Sequence, residues 1–154
     1  MKEKSQAILR RYPDKRSALL PILHLIQEEQ GRLSDEAMVA VAELLGLKPV
    51  EVREVATFYT MFNFRPVGRY HIQVCHNLSC SLLGAESLIA HLEERLQIRA
   101  GETTPDNLFT LIKVECLGSC GTAPVMQIND DYYENLTKEK VDVILESLRV
   151  SPHG

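Results

Sequence analysis

The chain has 154 residues, 45% hydrophobic and 25% charged, enough apolar side chains to build a core and too many for a disordered polymer. Its formal net charge is −4 with no dense basic run, which argues against nucleic acid or an anionic membrane surface as the principal partner. No apolar run nears the ~20 residues of a membrane span, and MKEKSQAILRRYPDKR lacks the apolar stretch of a secretory signal, so the expected compartment is reducing and cytoplasmic.

The first 65 or so residues read as three helices. Ser17 is placed to start the first, with Pro21 near its first turn and LLPILHLIQEEQG running to Gly31 as a stop. Ser34 reads as an N-cap followed by Asp35 and Glu36, which suit the helix dipole. Met38, Val41 and Leu45 then share a face, and Gly46 ends the run. Pro49 suits the first turn of a third helix, whose Val52, Val55, Ala56, Tyr59 and Phe62 form an apolar stripe.

FRPVGR, residues 64–69, has the composition of a linker, and the pattern then changes. RYHIQVC alternates with the period of a strand, and residues 84–96 read as a helix aligned on Leu88, Leu92 and Leu96. TTPDN is a turn, FTLIKV a second strand, PVMQI a third and YYENL a fourth. Thr137 is placed to cap a last helix with Val141, Ile144, Leu145 and Leu148 on one face. The expected organisation is a small helical domain, 1–68, followed by an α/β domain with a mixed sheet, 69–154.

All four cysteines fall in the second part. Cys75 and Cys80 form C-x4-C where the first strand ends, and Cys116 and Cys120 form C-x3-C where the second ends. Loops leaving strand ends on one edge of a sheet converge, and four soft thiolates suit zinc or an iron–sulfur cluster. Closed zinc sites favour C-x2-C knuckles, which neither pair has, whereas a [2Fe–2S] cluster takes two cysteines at each of two irons. Such a centre carries a charge of about −2, or about −3 when reduced, and wants backbone N–H donors close by. Gly118 and Gly121 are placed to let the backbone approach. Structural zinc and thiol–disulfide chemistry stay open on spacing alone, the latter without a C-x-x-C motif. His76 reads as a surface or hydrogen-bonding residue rather than a ligand, His24, His71 and His91 read as structural, and Glu115 is expected to face solvent.

VCHNLSCSLLGA and VECLGSCGTAPVMQINDDYYENLT resemble the thioredoxin-like [2Fe-2S] ferredoxins, in the branch that supplies a peripheral-arm component of respiratory NADH–quinone oxidoreductase (complex I). KRSALLPILHLIQEEQGRLS and EVREVATFYTMF resemble the helical domain of the same family, so the likeness spans nearly the whole chain. It implies a thioredoxin-like fold from about residue 69. It implies that Cys75 and Cys80 hold one iron of a [2Fe-2S] cluster and Cys116 and Cys120 the other. It implies further that the cluster exchanges electrons with the FMN of a flavoprotein partner, peripheral to the membrane through the assembled complex. No residue is assigned a catalytic role. Ala123–Pro124 corresponds to a loop proline that supports the cluster, although a proline at the start of a strand reads equally well, and the sequence leaves its isomer open.

No G-x-G-x-x-G or P-loop is present, so NADH and FMN are expected on the partner and this chain is expected only to carry electrons. Equivalent subunits of soluble NAD-linked hydrogenases, formate dehydrogenases and electron-bifurcating complexes fit the same pattern; the short ending RVSPHG fits the respiratory assembly. A helix-turn-helix reading of AVAELLGLKPVEVREVATFYTMF fails on charge, because Arg53 is flanked by Glu51 and Glu54.

Overall fold

The computed structural model describes residues 2–150, so the ending RVSPHG runs out of the described residues at position 151. The chain divides into two compact units, one up to Val67 and one from Gly68 onward. Among the described residues no helix is long and apolar enough to cross a membrane.

The first unit contains α1 (Lys2–Leu9), α2 (Leu19–Gln30), α3 (Asp35–Leu45) and α4 (Pro49–Phe58), with a 3-10 turn at Lys15–Ala18 leading into α2. The local stop and start signals act as expected. Gly31 and Gly46 end α2 and α3 in the left-handed conformation, and Ser34 Oγ accepts from the Ala37 N–H at 3.1 Å. Two expectations need correcting. Asp14, not Ser17, caps the entry, accepting from the Arg16 N–H, and α1 is an additional helix of low apolar content. The apolar stripe of α4 also stops short. Val52 and Ala56 are buried, but the helix ends at Phe58, and Tyr59 is its extended C-cap. Phe62 still enters the core because Gln27 fixes the loop beyond α4, donating to the Met61 carbonyl at 2.8 Å and accepting from the Asn63 N–H at 2.6 Å. Arg53, the cation of the rejected DNA reading, lies 2.7 Å from Asp35.

The second unit is a four-stranded mixed sheet: β1 (Tyr70–Cys75), β2 (Phe109–Val114), β3 (Met126–Ile128) and β4 (Asp131–Tyr133), in the order β2-β1-β3-β4. Its helices are α5 (Leu78–Leu82), α6 (Ala85–Leu96) and α7 (Lys138–Val150). β1 and β2 are parallel and α6 lies in the crossover that such pairing requires; β3 runs antiparallel to β1, and β4 to β3. Tyr70, Ile72, Val74, Phe109, Leu111, Met126 and Ile128 meet Leu88, Leu92, Val141 and Leu145 of α6 and α7 in one core. Asp142 ties the two helices together, 2.9 Å from His91 Nε2 and 2.8 Å from Arg95 Nε. Thr137 caps α7 as expected, while β4 is three residues long rather than five.

Gly68 opens this unit against β2. Its N–H donates to Thr110 Oγ1 at 2.6 Å, and a β-carbon there would stand 2.8 Å from the Phe109 backbone. Gly68→Ala is therefore expected to lower stability by ~1–3 kcal/mol, because backbone must move to admit the methyl group. Chemical denaturation of the full chain measures this, and an unchanged midpoint would contradict the close approach.

Candidate metal centre

The register of β1 on β2 builds the site. Cys75 pairs with Val114, so the two parallel strands stop level with each other and release their loops at one edge of the sheet. Two backbone bonds hold that edge: His76 N–H donates to the Val114 carbonyl at 3.1 Å, and Cys75 N–H to the Val125 carbonyl at 3.2 Å. The second bond brings in the segment before β3, which follows a cis Ala123–Pro124 peptide bond.

Each loop carries its cysteines differently. Cys75 ends β1 and Cys80 sits in α5, and both are buried with Ala85 and Val125 beneath Leu117 and Ala123. Asn77 starts α5, its side-chain oxygen accepting from the Leu78 N–H at 2.7 Å. α5 went unforeseen: five residues, LSCSL, are too few for a helical period to be read. Cys116 and Cys120 are exposed, Cys120 opening a 3-10 turn, and their sulfurs lie 3.4 Å apart. Gly118 takes φ +83°, a left-handed conformation that only glycine adopts freely, and its N–H donates to Cys116 Sγ at 3.4 Å.

The loops meet. Burial pushes the Cys80 thiol up to about 11, reinforced by a hydrogen bond with Cys75 and by the charges of Cys75 and Cys120. The Gly118 N–H, and after it a hydrogen bond with Cys120, holds Cys116 below the usual thiol range. That same hydrogen bond, taken from the Cys120 side, raises Cys120, while the Ser79 hydroxyl from the other loop works against the rise. Glu115 is exposed, as expected, and its carboxylate also accepts from Asn77 Nδ2 at 2.7 Å and lies 3.7 Å from His76 Nε2, joining the loops beside Cys116. Asn77, Ser79 and Tyr132, whose hydroxyl donates to the Leu117 carbonyl at 3.0 Å, escaped the sequence reading, because loop-to-loop partners leave no periodic trace.

The donor set fits a two-iron centre. Four thiols stand as two hydrogen-bonded pairs, with a glycine N–H already directed at one sulfur. Among the described residues no three His, Cys, Asp or Glu side chains form a group that could hold a single metal ion. The His24 ring lies 5.0 Å from that of Phe62 in a tilted arrangement, His71 is buried and His91 pairs with Asp142, each a structural placement.

Comparison with known proteins agrees. Over 151 residues the chain is 52% identical to an NADH-quinone oxidoreductase subunit of Rhizobium meliloti, covering 98% of this chain and 90% of that one. It is 48% identical to NADH-quinone oxidoreductase subunit 2 of Thermus thermophilus over 142 residues, 90% of this chain and 78% of the relative. The fold also superposes on part of an NAD+-reducing [NiFe]-hydrogenase in its H2-reduced state, with a TM-score of 0.72 at 23% identity. There the match covers 86% of this chain but only 23% of the hydrogenase chain. A family model described as thioredoxin-like [2Fe-2S] ferredoxin matches residues 5–149, and on the two thiol pairs, the mixed sheet that presents them and this match, the chain belongs to the thioredoxin-like [2Fe-2S] ferredoxin family.

Proposed function

We propose that this chain is the electron-transfer subunit of an NADH–quinone oxidoreductase. In this reading Cys75 and Cys80 ligate one iron of a [2Fe-2S] cluster, and Cys116 and Cys120 ligate the other. The observation that carries it is the meeting of a buried thiol pair and an exposed thiol pair at one sheet edge. The whole-chain likeness to subunits of NADH-quinone oxidoreductases supports the choice of assembly over the hydrogenase, for which the resemblance is one of fold. Residues 1–68 would serve as a helical domain preceding the ferredoxin domain, 69–154.

The cluster, when bound, supplies one-electron exchange. The protein's residues supply the rest. Cys75 and Cys80 shield one side under Ala85 and Val125, leaving the Cys116 and Cys120 side open to a partner. Gly118 N–H stabilises negative charge on the Cys116 sulfur, and the adjacent Glu115 carboxylate opposes it, so the two set the potential in opposite directions. Leu78, Leu82 and Leu83 are exposed around Cys80, at 70%, 78% and 60%, an apolar rim suited to a protein partner. That partner would be the flavoprotein carrying FMN and the NADH site, and the chain would be peripheral to the membrane through the assembled complex.

Anaerobically purified protein is expected to be red-brown, with two irons and two sulfides per chain and an electron paramagnetic resonance signal from one unpaired spin on reduction. Stoichiometric zinc without visible absorption would overturn the assignment. Cys116→Ala is expected to lose the cluster and to lower the melting temperature, because one iron is left with an incomplete shell. A full cluster with unchanged melting would remove Cys116 from the ligand set. The assembly is tested by co-purification: a flavoprotein together with membrane quinone-reducing subunits supports the proposal, and a hydrogenase or formate dehydrogenase subunit overturns it.

A further inference from the structure

The peptide unit joining Leu117 to Gly118 is engaged at both ends. Its carbonyl oxygen accepts from the Tyr132 hydroxyl at 3.0 Å, and its N–H donates to Cys116 Sγ at 3.4 Å. An amide whose oxygen accepts a hydrogen bond is polarised, and its N–H becomes a stronger donor. The φ of +83° at Gly118 accompanies this orientation of the peptide, and a side chain at that position would be strained.

Tyr132 reaches this peptide from β4, held in register opposite Gln127 of β3. The chain just beyond it grips the same loop separately, with Thr122 Oγ1 donating to Glu134 at 2.6 Å and Asn135 N–H donating to the Thr122 carbonyl at 2.7 Å. Holding the loop in place therefore does not depend on the Tyr132 hydroxyl alone.

We infer that Tyr132 is a positioning residue that tunes the Cys116 sulfur through one peptide bond, from Tyr132 Oη–H to the Leu117 carbonyl and from the Gly118 N–H to Cys116 Sγ. The inference rests on the reading of Cys116 as an iron ligand. Reduction adds negative charge that the ligand sulfurs share, so a stronger donor on Sγ favours the reduced form and raises the potential. Tyr132 thus acts against Glu115, whose carboxylate stands on the other side of Cys116 in the chain and favours the oxidised form.

The test is a potentiometric titration of the full chain carrying its cluster, followed by electron paramagnetic resonance, for the wild type, Tyr132→Phe and Thr122→Val. Tyr132→Phe is expected to reduce the equilibrium constant for reduction about threefold, the scale of cooperative strengthening of one charge-assisted bond. At 59 mV per tenfold for a one-electron couple, that is a shift of about 30 mV to more negative potential. Iron content and melting temperature should stay unchanged in Tyr132→Phe. Thr122→Val removes the side-chain bonds to Glu134 and the Ser119 carbonyl while leaving the Asn135 backbone bond and the Leu117–Gly118 peptide in place, and its potential should match the wild type. An unmoved potential in Tyr132→Phe, an equal shift in both variants, or outright loss of the cluster from Tyr132→Phe overturns the inference. The ligand reading fails separately, if the wild type binds no cluster or Cys116→Ala keeps a full one.

Discussion

The pairing of Cys75 with Val114 across two parallel strands is the constraint on which the site depends. Parallel neighbours end at the same edge, so the segments following β1 and β2 leave side by side, 41 residues apart in sequence (Cys75 to Cys116). A slip of one residue would turn every side chain of β1 to the opposite face, burying His71 and Gln73 among the helices and turning Cys75 away from Val125. The apolar core of Ile72, Val74, Leu111 and Met126 forbids that slip. Core packing thereby sets the place of a candidate metal site whose own residues contribute little apolar area.

Around that edge the electrostatics are divided. The Cys80 thiol is held protonated by burial, while the Gly118 N–H eases ionisation of Cys116 in the open loop. The open loop is itself divided, since the pairing that lowers Cys116 raises Cys120. Asn77 with Glu115, and Ser79 with Cys120, link the two loops by side chains.

Much of the fold was legible because its signals are local. Ser34, Gly31, Gly46 and Pro49 act within one turn of where they stand, and the alternation in RYHIQVC is a property of seven consecutive residues. Errors arose where a distant partner decides. Asp14 displaced Ser17 at the first cap, and α4 gave up Tyr59 because Gln27, more than thirty residues upstream, claims the loop that follows. α1 and α5 were missed because one is polar and the other is a single turn and a half.

By itself the sequence determined the family, the two cysteine spacings and the α/β pattern, since each is written in the order of residues along the chain. Tertiary structure alone decided that Cys75 and Cys80 are covered while Cys116 and Cys120 are open, that Ala123–Pro124 is cis, and that Glu115 bridges two loops. It also decided that Tyr132 reaches the Leu117 peptide. These are contacts between segments far apart in sequence, brought within a few ångströms only when the sheet closes its register and the loops have nowhere else to go.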